Sequence, residues 1–282
     1  MSRSRMGLHL NQSGLLAAFT GFCCAFLAAA QPQPSRAQEI VDVQLVLAVD
    51  VSLSMSAGEL EIQRRGYAEA LTHEEVVGAI LSGMHGKIAV TYFEWAGNLS
   101  QRVVVPWTRI ASAEDARHFA ERLSANPPSS ARRTSISGAL DYAGDLLAES
   151  DFRGLRRVVD VSGDGPNNQG GPVVPARDRL AGMGITINGL PLMTNGGLTT
   201  SFDVKDLDTY YRNCVIGGPG AFVVPVNDWS QFPEAIRRKL VLELAGTGGH
   251  RPQVVLAQFH SAYDCLVGEK MWRDRSWMWQ EP

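Results

Sequence analysis

Five oxygen-bearing side chains stand out from the chain by type and spacing. Asp50, Ser52 and Ser54 fall at every second position where the apolar run QLVLAVD ends, Thr134 follows a Pro/Ser/Arg loop in ARRTSISGAL, and Asp164 opens the GDGPNN turn. Two carboxylates and three hydroxyls make a set of hard donors with no thiolate or imidazole, which suits Mg²⁺ or Mn²⁺ rather than zinc or copper. Neutral hydroxyls coordinate without quenching the ion, so a metal held this way keeps its attraction for a further carboxylate from outside. The plainer alternative is that Asp50 and Ser52 cap a helix while the others satisfy loop backbones, as such residues do routinely.

The elements that must bring these five together alternate between strand and helix signals. Val41 to Val49 is the near-continuous apolar run of a strand covered on both faces. Helical spacing follows in Ala57–Leu71 and His73–Leu81. Lys87–Trp95 and Gln101–Pro106 read as two strands joined by a Gly-Asn turn, which requires one antiparallel pairing. Ser112 is placed to cap a helix to Ala125. Further helices are expected at Ser135–Ala148, Pro175–Met183, Val204–Arg212 and Phe232–Leu244, with strands at Arg157–Val161, Ile185–Leu190 and Ala221–Val226. The pattern predicts an α/β fold: a doubly wound, mostly parallel six-stranded sheet with one antiparallel edge strand and helices on both faces. With the first strand central, the loops after the first and fourth strands meet at the point where strand order reverses, the usual ligand crevice of such sheets.

On these residues the chain resembles von Willebrand factor type A (VWA) domains. Asp50-Val51-Ser52-Leu53-Ser54 matches their DxSxS motif, Thr134 their metal-site threonine, and Asp164-Gly165 their distal aspartate. The resemblance spans about Ile40 to Gly246 and is similar in detail to a bacterial exported VWA-like family without assigned function, GGPGAFVVPV and the following AIRRKL being alike. It implies a metal-ion-dependent adhesion site (MIDAS) at Asp50, Ser52, Ser54, Thr134 and Asp164, holding Mg²⁺ or Mn²⁺ and engaging an Asp or Glu carboxylate of a protein partner. No catalytic role is expected. The alternatives are a metal-dependent hydrolase or phosphatase, which would want a second aspartate at Ser52, or a scaffold whose metal site stays empty.

The N-terminus reads as an address. Arg3 and Arg5 precede the uncharged apolar segment Leu15–Ala30, and small residues allow cleavage after Ala30 or Ala37, the layout of a secretory signal peptide. A retained anchor is the alternative, but the run is shorter than the roughly 18 apolar residues a spanning helix needs. Phe22 before Cys23 argues against a lipidation signal. The expected organisation is therefore 1–37 signal and linker, 38–246 VWA-like domain and 247–282 a Trp-rich tail, with the mature chain exported to the periplasm or beyond and carrying no transmembrane helix.

Charge narrows the partners. The full chain has 26 basic and 29 acidic residues, and loss of Arg3, Arg5 and Arg36 takes the net charge from −3 to −6. Nucleic acid is thereby an unfavourable partner. Of four cysteines only Cys214 and Cys265 lie outside the signal; an oxidising compartment allows them to pair, the alternative being two buried thiols. Trp272, Trp277 and Trp279 in the tail imply packing back onto the domain, preferred here, or an exposed partner or membrane-interface segment. Glu94 and Trp95 end a strand on the side of the site and fit either its rim or the core. Asn167 and Asn168 fit either rim or plain loop. Asp160, inside an apolar strand, requires a partner such as an arginine.

Overall fold

The computed structural model of the protein describes residues 38–194, 204–245 and 263–275. The first strand, β1 (Glu39–Asp50), is buried from Val43 onward because it is paired in parallel on both sides, with β2 (Ile88–Trp95) and with β4 (Phe152–Gly163). β3 (Gln101–Ile110) runs antiparallel to β2 at one edge, and β5 (Thr186–Pro191) is parallel to β4 at the other. The order β3-β2-β1-β4-β5 makes β1 the centre and puts the reversal between β1 and β4.

Alternate residues of β1 serve two separate cores. Val43, Leu45, Leu47 and Val49 face one core with Tyr67 and Leu71 of α1 (Ala57–Thr72), Val76 and Ile80 of α2 (Glu74–Leu81), Phe119 of α3 (Ala113–Ser124) and Phe232, Ile236 and Leu240 of α7 (Phe232–Ala245). Val46 and Ala48 face the other with Ala139 and Leu140 of α4 (Ile136–Ala148), Ala176 and Leu180 of α5 (Val173–Gly182), and Leu207 and Tyr210 of α6 (Leu207–Tyr210). A π turn, Tyr211–Val215, continues α6. From Leu45 to Val49 the strand is apolar at every position because neither of its faces meets water there.

Helix starts follow the local sequence. Ser56 and Glu59 form a reciprocal capping box on α1, Ser112 accepts from the Asp115 N–H at 3.1 Å, and Ser135 accepts from the Gly138 N–H at 3.2 Å. The sheet has five strands, not the expected six. Ala221–Val226 runs beside β5 but bridges it only at Val223 to Gly189 and Val226 to Leu192. Gly189, Val224, Val226 and Met193 donate across this pairing, and the bond missing from the series is the one Pro191, without an N–H, would give to the Val224 carbonyl.

The buried Asp160 is paired with Lys239 of α7 at 2.6 Å, so its partner is a lysine and not an arginine. Lys239 also contacts Glu243, and Glu243 accepts from the Asn188 amide at 2.9 Å. All four lie at 2% exposure or less. The signal segment falls outside the described residues, as do Trp277 and Trp279. No helix among the described residues is long and apolar enough to cross a membrane.

Candidate functional site

The five singled-out side chains sit at the end of β1, on the loops after β1 and β4, and on the α3–α4 connection. Asp50 is the last residue of β1, and the chain behind it turns sharply, with the Ser52 N–H donating to Asp50 Oδ1 at 2.7 Å. The Ser52 and Ser54 hydroxyls are 2.9 Å apart. Ser54 donates to Asp164 Oδ1 at 2.9 Å, and Ser52 reaches the same oxygen at 3.5 Å. Two loops separated by more than a hundred residues are therefore joined through their hydroxyl and carboxylate oxygens.

The Thr134 loop is tied in by backbone. Val51 and Leu53 exchange hydrogen bonds with Ala131 on both sides of Ser52, at 3.1 and 3.0 Å, and the Ser135 N–H donates to Ala96 at the end of β2. Thr134 and Asn168 then clasp each other: the Asn168 N–H donates to the Thr134 carbonyl at 2.8 Å, and the Thr134 N–H donates to Asn168 Oδ1 at 3.0 Å. The residue before, Arg133, takes φ 78°, a left-handed conformation that a side chain with a Cβ adopts rarely. Thr134 is held beside the Asp164 loop by this clasp and is itself buried, at 5% exposure.

Asp50 is the electrostatic anomaly of the site. It is fully buried, and its Oδ2 has no hydrogen-bond partner. Burial, and next the nearby Asp164 charge, push its carboxyl well above the usual carboxylate range, offset only in part by hydrogen bonds from Ser52. The Tyr211 phenol, also buried and without a hydrogen bond, is driven up by burial and by Asp50. Gly163 makes room for both groups: a Cβ there would lie 2.9 Å from Asp50 Oδ2 and 2.9 Å from the Tyr211 hydroxyl.

The flanking candidates resolve differently from one another. Trp95 is wholly in the core, and Glu94 is an interior anion that binds Arg64 and, at 2.8 Å, Arg102. Glu94 also accepts from Ser129, so it fixes the start of the loop that carries Thr134 rather than lining a rim. Asn167 is fully buried. Its N–H donates to the Tyr210 hydroxyl, its Oδ1 accepts from Ser137 and its Nδ2 donates to Gly171 and Glu269.

Sequence reasoning missed Tyr211, the Arg133 conformation and Gln63, whose amide donates to the Asp50 carbonyl at 2.9 Å. No local signal marks any of the three, since each acquires its place through tertiary packing. Among the described residues no group of three His, Cys, Asp or Glu is arranged to hold a metal, so a cation held at Asp50 and Asp164 would need further oxygen ligands, such as the hydroxyls beside them.

The sheet order and the helices on both faces give an α/β fold that resembles the VWA type expected from the sequence. The chain itself belongs to the family described as "Protein of unknown function (DUF1194)", whose model matches residues 40–248. Among solved structures the chain is similar to proximal thread matrix protein 1 from the mussel byssus, in a form with a zinc-occupied MIDAS motif, at 17% identity and a TM-score of 0.51, covering 74% of this chain and 49% of that one. It is also similar to the pilus adhesin SpaC from Lactobacillus rhamnosus GG, at 12% identity and a TM-score of 0.53, covering 73% of this chain and 31% of that one. A von Willebrand factor type A protein from Catenulispora acidiphila aligns at 15% identity with a TM-score of 0.46, covering 71% of this chain and 42% of that one. The chain spans about half or less of these proteins, and at such identities the likeness is one of fold. None of the curated proteins matches it.

Proposed function

We propose that the protein is an exported binding module that holds Mg²⁺ or Mn²⁺ at Asp50, Ser52, Ser54, Thr134 and Asp164 and engages an acidic side chain of a protein partner through the ion. The observation that carries the reading is the buried Asp50 carboxylate, with one oxygen unpartnered and a second carboxylate as its neighbour. An anion in that position is stabilised by a cation at the loops, and the surrounding hydroxyls are donors of the kind Mg²⁺ accepts. The bound ion would supply one thing: a positive centre whose remaining coordination a carboxylate can fill. Leu53, 55% exposed between Ser52 and Ser54, adds an apolar contact suited to a protein partner.

The disulfide between Cys214 and Cys265 supports export, since such bonds persist in oxidising compartments. Segments 50–56, 131–135 and 162–170 contain no lysine or histidine, and Ser52 stands where a phosphotransfer enzyme would want its second aspartate, which favours a binder over a hydrolase. The reading is therefore of a binder and not an enzyme. It is tested by the melting temperature of residues 38–282 in chelator and in millimolar Mg²⁺ or Mn²⁺, for wild type and Asp50→Asn. A rise in wild type that is absent in the variant is expected, and no rise in either overturns the metal site. Turnover of p-nitrophenyl phosphate that depends on both Mg²⁺ and Asp50 would replace the binding module with the hydrolase.

A further inference from the structure

The chain beyond the family match returns to the candidate site. Residues 263–275, containing α8 (Val267–Arg275), belong to the same compact unit as the sheet and are fastened to it by the Cys214–Cys265 disulfide. Next to the disulfide, Tyr263 packs edge-on against Tyr210, whose hydroxyl receives the Asn167 N–H. Further along, Glu269 Oε1 accepts from the Asn167 amide at 2.7 Å. Gly268 lies so close to the same turn that a Cβ would collide with the Asn167 carbonyl and come within 3.0 Å of Pro166. One helical turn on from Gly268, the Trp272 ring carries the Arg133 guanidinium 3.1 Å from its centroid.

These contacts fall on two loops and on the residues adjoining proposed ligands in each. Pro166 and Asn167 follow Asp164, and Arg133 precedes Thr134 in a backbone conformation that has to be held from outside. The Asn168–Thr134 clasp joins the same two loops from within. We propose that α8 is a positioning clamp for the metal site: Trp272 and Glu269, fastened by the disulfide, fix the spacing between the Thr134 and Asp164 loops and so set the affinity for the divalent ion. The clamp rests on the metal reading above for its consequence, but its effect on the loops does not.

Outer residues that orient metal ligands change affinity by about 10- to 100-fold when removed, and the same range is expected here. The experiment uses residues 38–282 as wild type, Trp272→Ala, Gly268→Val and the Cys214→Ser/Cys265→Ser pair. Two quantities are read: Mn²⁺ affinity by calorimetry, and hydrogen exchange of the metal-free protein at the amides of Arg133, Thr134, Gly165, Asn167 and Asn168. Each variant should weaken Mn²⁺ binding about 10-fold or more and speed exchange at those amides. Glu269→Gln, which keeps an acceptor for Asn167, should bind as wild type does, while Glu269→Ala should not. If exchange accelerates within 263–275 but the loop amides and the Mn²⁺ affinity stay unchanged, α8 is a passive appendage and the clamp is overturned. If wild type binds no Mn²⁺, the metal reading falls; the exchange of the loop amides then still decides whether α8 positions them.

Discussion

Two aspartates on neighbouring strands are buried to the same degree and solve the same problem differently. Asp160, midway along β4, meets Lys239 at 2.6 Å inside the core, and its anionic neighbour Glu243 contacts the same ammonium. Asp50, at the end of β1, has an anion for its neighbour and no cation paired with it among the described residues. The first cluster carries its counter-charge in the sequence. Asp50 has no cation paired with it among the described residues and lies where loops open to solvent, with Asp164 and Ser54 partly exposed. A buried charge with an internal partner belongs to the architecture, whereas one without a partner at a strand-order reversal is arranged for something that arrives from outside.

Removing a charge from each cluster should therefore act in opposite directions. Lys239→Met leaves Asp160 and Glu243 buried without their cation, and breaking a pair in this way costs about 3–5 kcal/mol. Urea unfolding at pH 7 should show that loss; a change under about 1 kcal/mol would mean the cluster is not the electrostatic unit described. Asp50→Asn removes an unmatched charge instead, so the metal-free variant should unfold at the same or a higher urea concentration than wild type. What it loses is the gain from the ion, about 2.7 kcal/mol when Mg²⁺ is at 100 times its dissociation constant. A variant still stabilised by Mg²⁺ would detach Asp50 from the site.

The two clusters were also unequally legible. Asp50, Ser52, Ser54 and Asp164 stand at ends of strong apolar signals, and the rule for strand-order reversal brings their two loops together, whereas Thr134, on the α3–α4 connection, was singled out by the family resemblance. Asp160 is visible as an anomaly in VVDVSG, but its partner is not. Lys239 sits among Arg237 and Arg238, and only the packed helix shows that Ile236, Lys239, Leu240 and Glu243 share the inward stripe. The sixth strand is interrupted for a similar reason, because the donor that Pro191 lacks falls opposite the Val224 carbonyl only once the register is known. The Cys214–Cys265 pair was legible, since only two cysteines lie outside the signal, and so was a tail that packs back, but its landing place on the Asn167 loop depends on long-range packing. Asn167 reads as loop punctuation because three of its four partners, Tyr210, Ser137 and Glu269, are distant in sequence.

Acidity separates the clusters further. Burial pushes the Asp160 carboxyl up to about 7, with Glu243 adding to the rise and Lys239 opposing it. Its folded-state pKa is above the unfolded value, so the folded protein holds this proton more tightly. The stability contributed is complete below about 4, the unfolded range, and is lost as pH rises through about 7. Asp50 is shifted in the same direction, so its share must be removed first. On an Asp50→Asn background in chelator, melting temperature should fall between pH 4 and 7, and adding Asp160→Asn should flatten that fall. An equal slope with and without Asp160→Asn would place the titrating group elsewhere.

The smallest effect tests whether the site's precision lies in the ligands alone. Asn168→Ala deletes the carboxamide that receives the Thr134 N–H while leaving the backbone bond from Asn168 N–H to the Thr134 carbonyl. Half of the clasp remains, so the fold should lose no more than about 1 kcal/mol, the net worth of one such hydrogen bond. Metal affinity depends on where Thr134 is held, and outer contacts of this kind change it by about 10- to 100-fold. Mn²⁺ calorimetry on Asn168→Ala should therefore show a loss near the lower end of that range with nearly unchanged urea unfolding. Equal affinity for wild type and variant would mean that the backbone of the Thr134 loop, fixed by Ala131 and Ala96, is sufficient without the Asn168 side chain. The contrast with the Asp160 cluster would then narrow to a single residue, Asp50, whose charge nothing in the described chain matches.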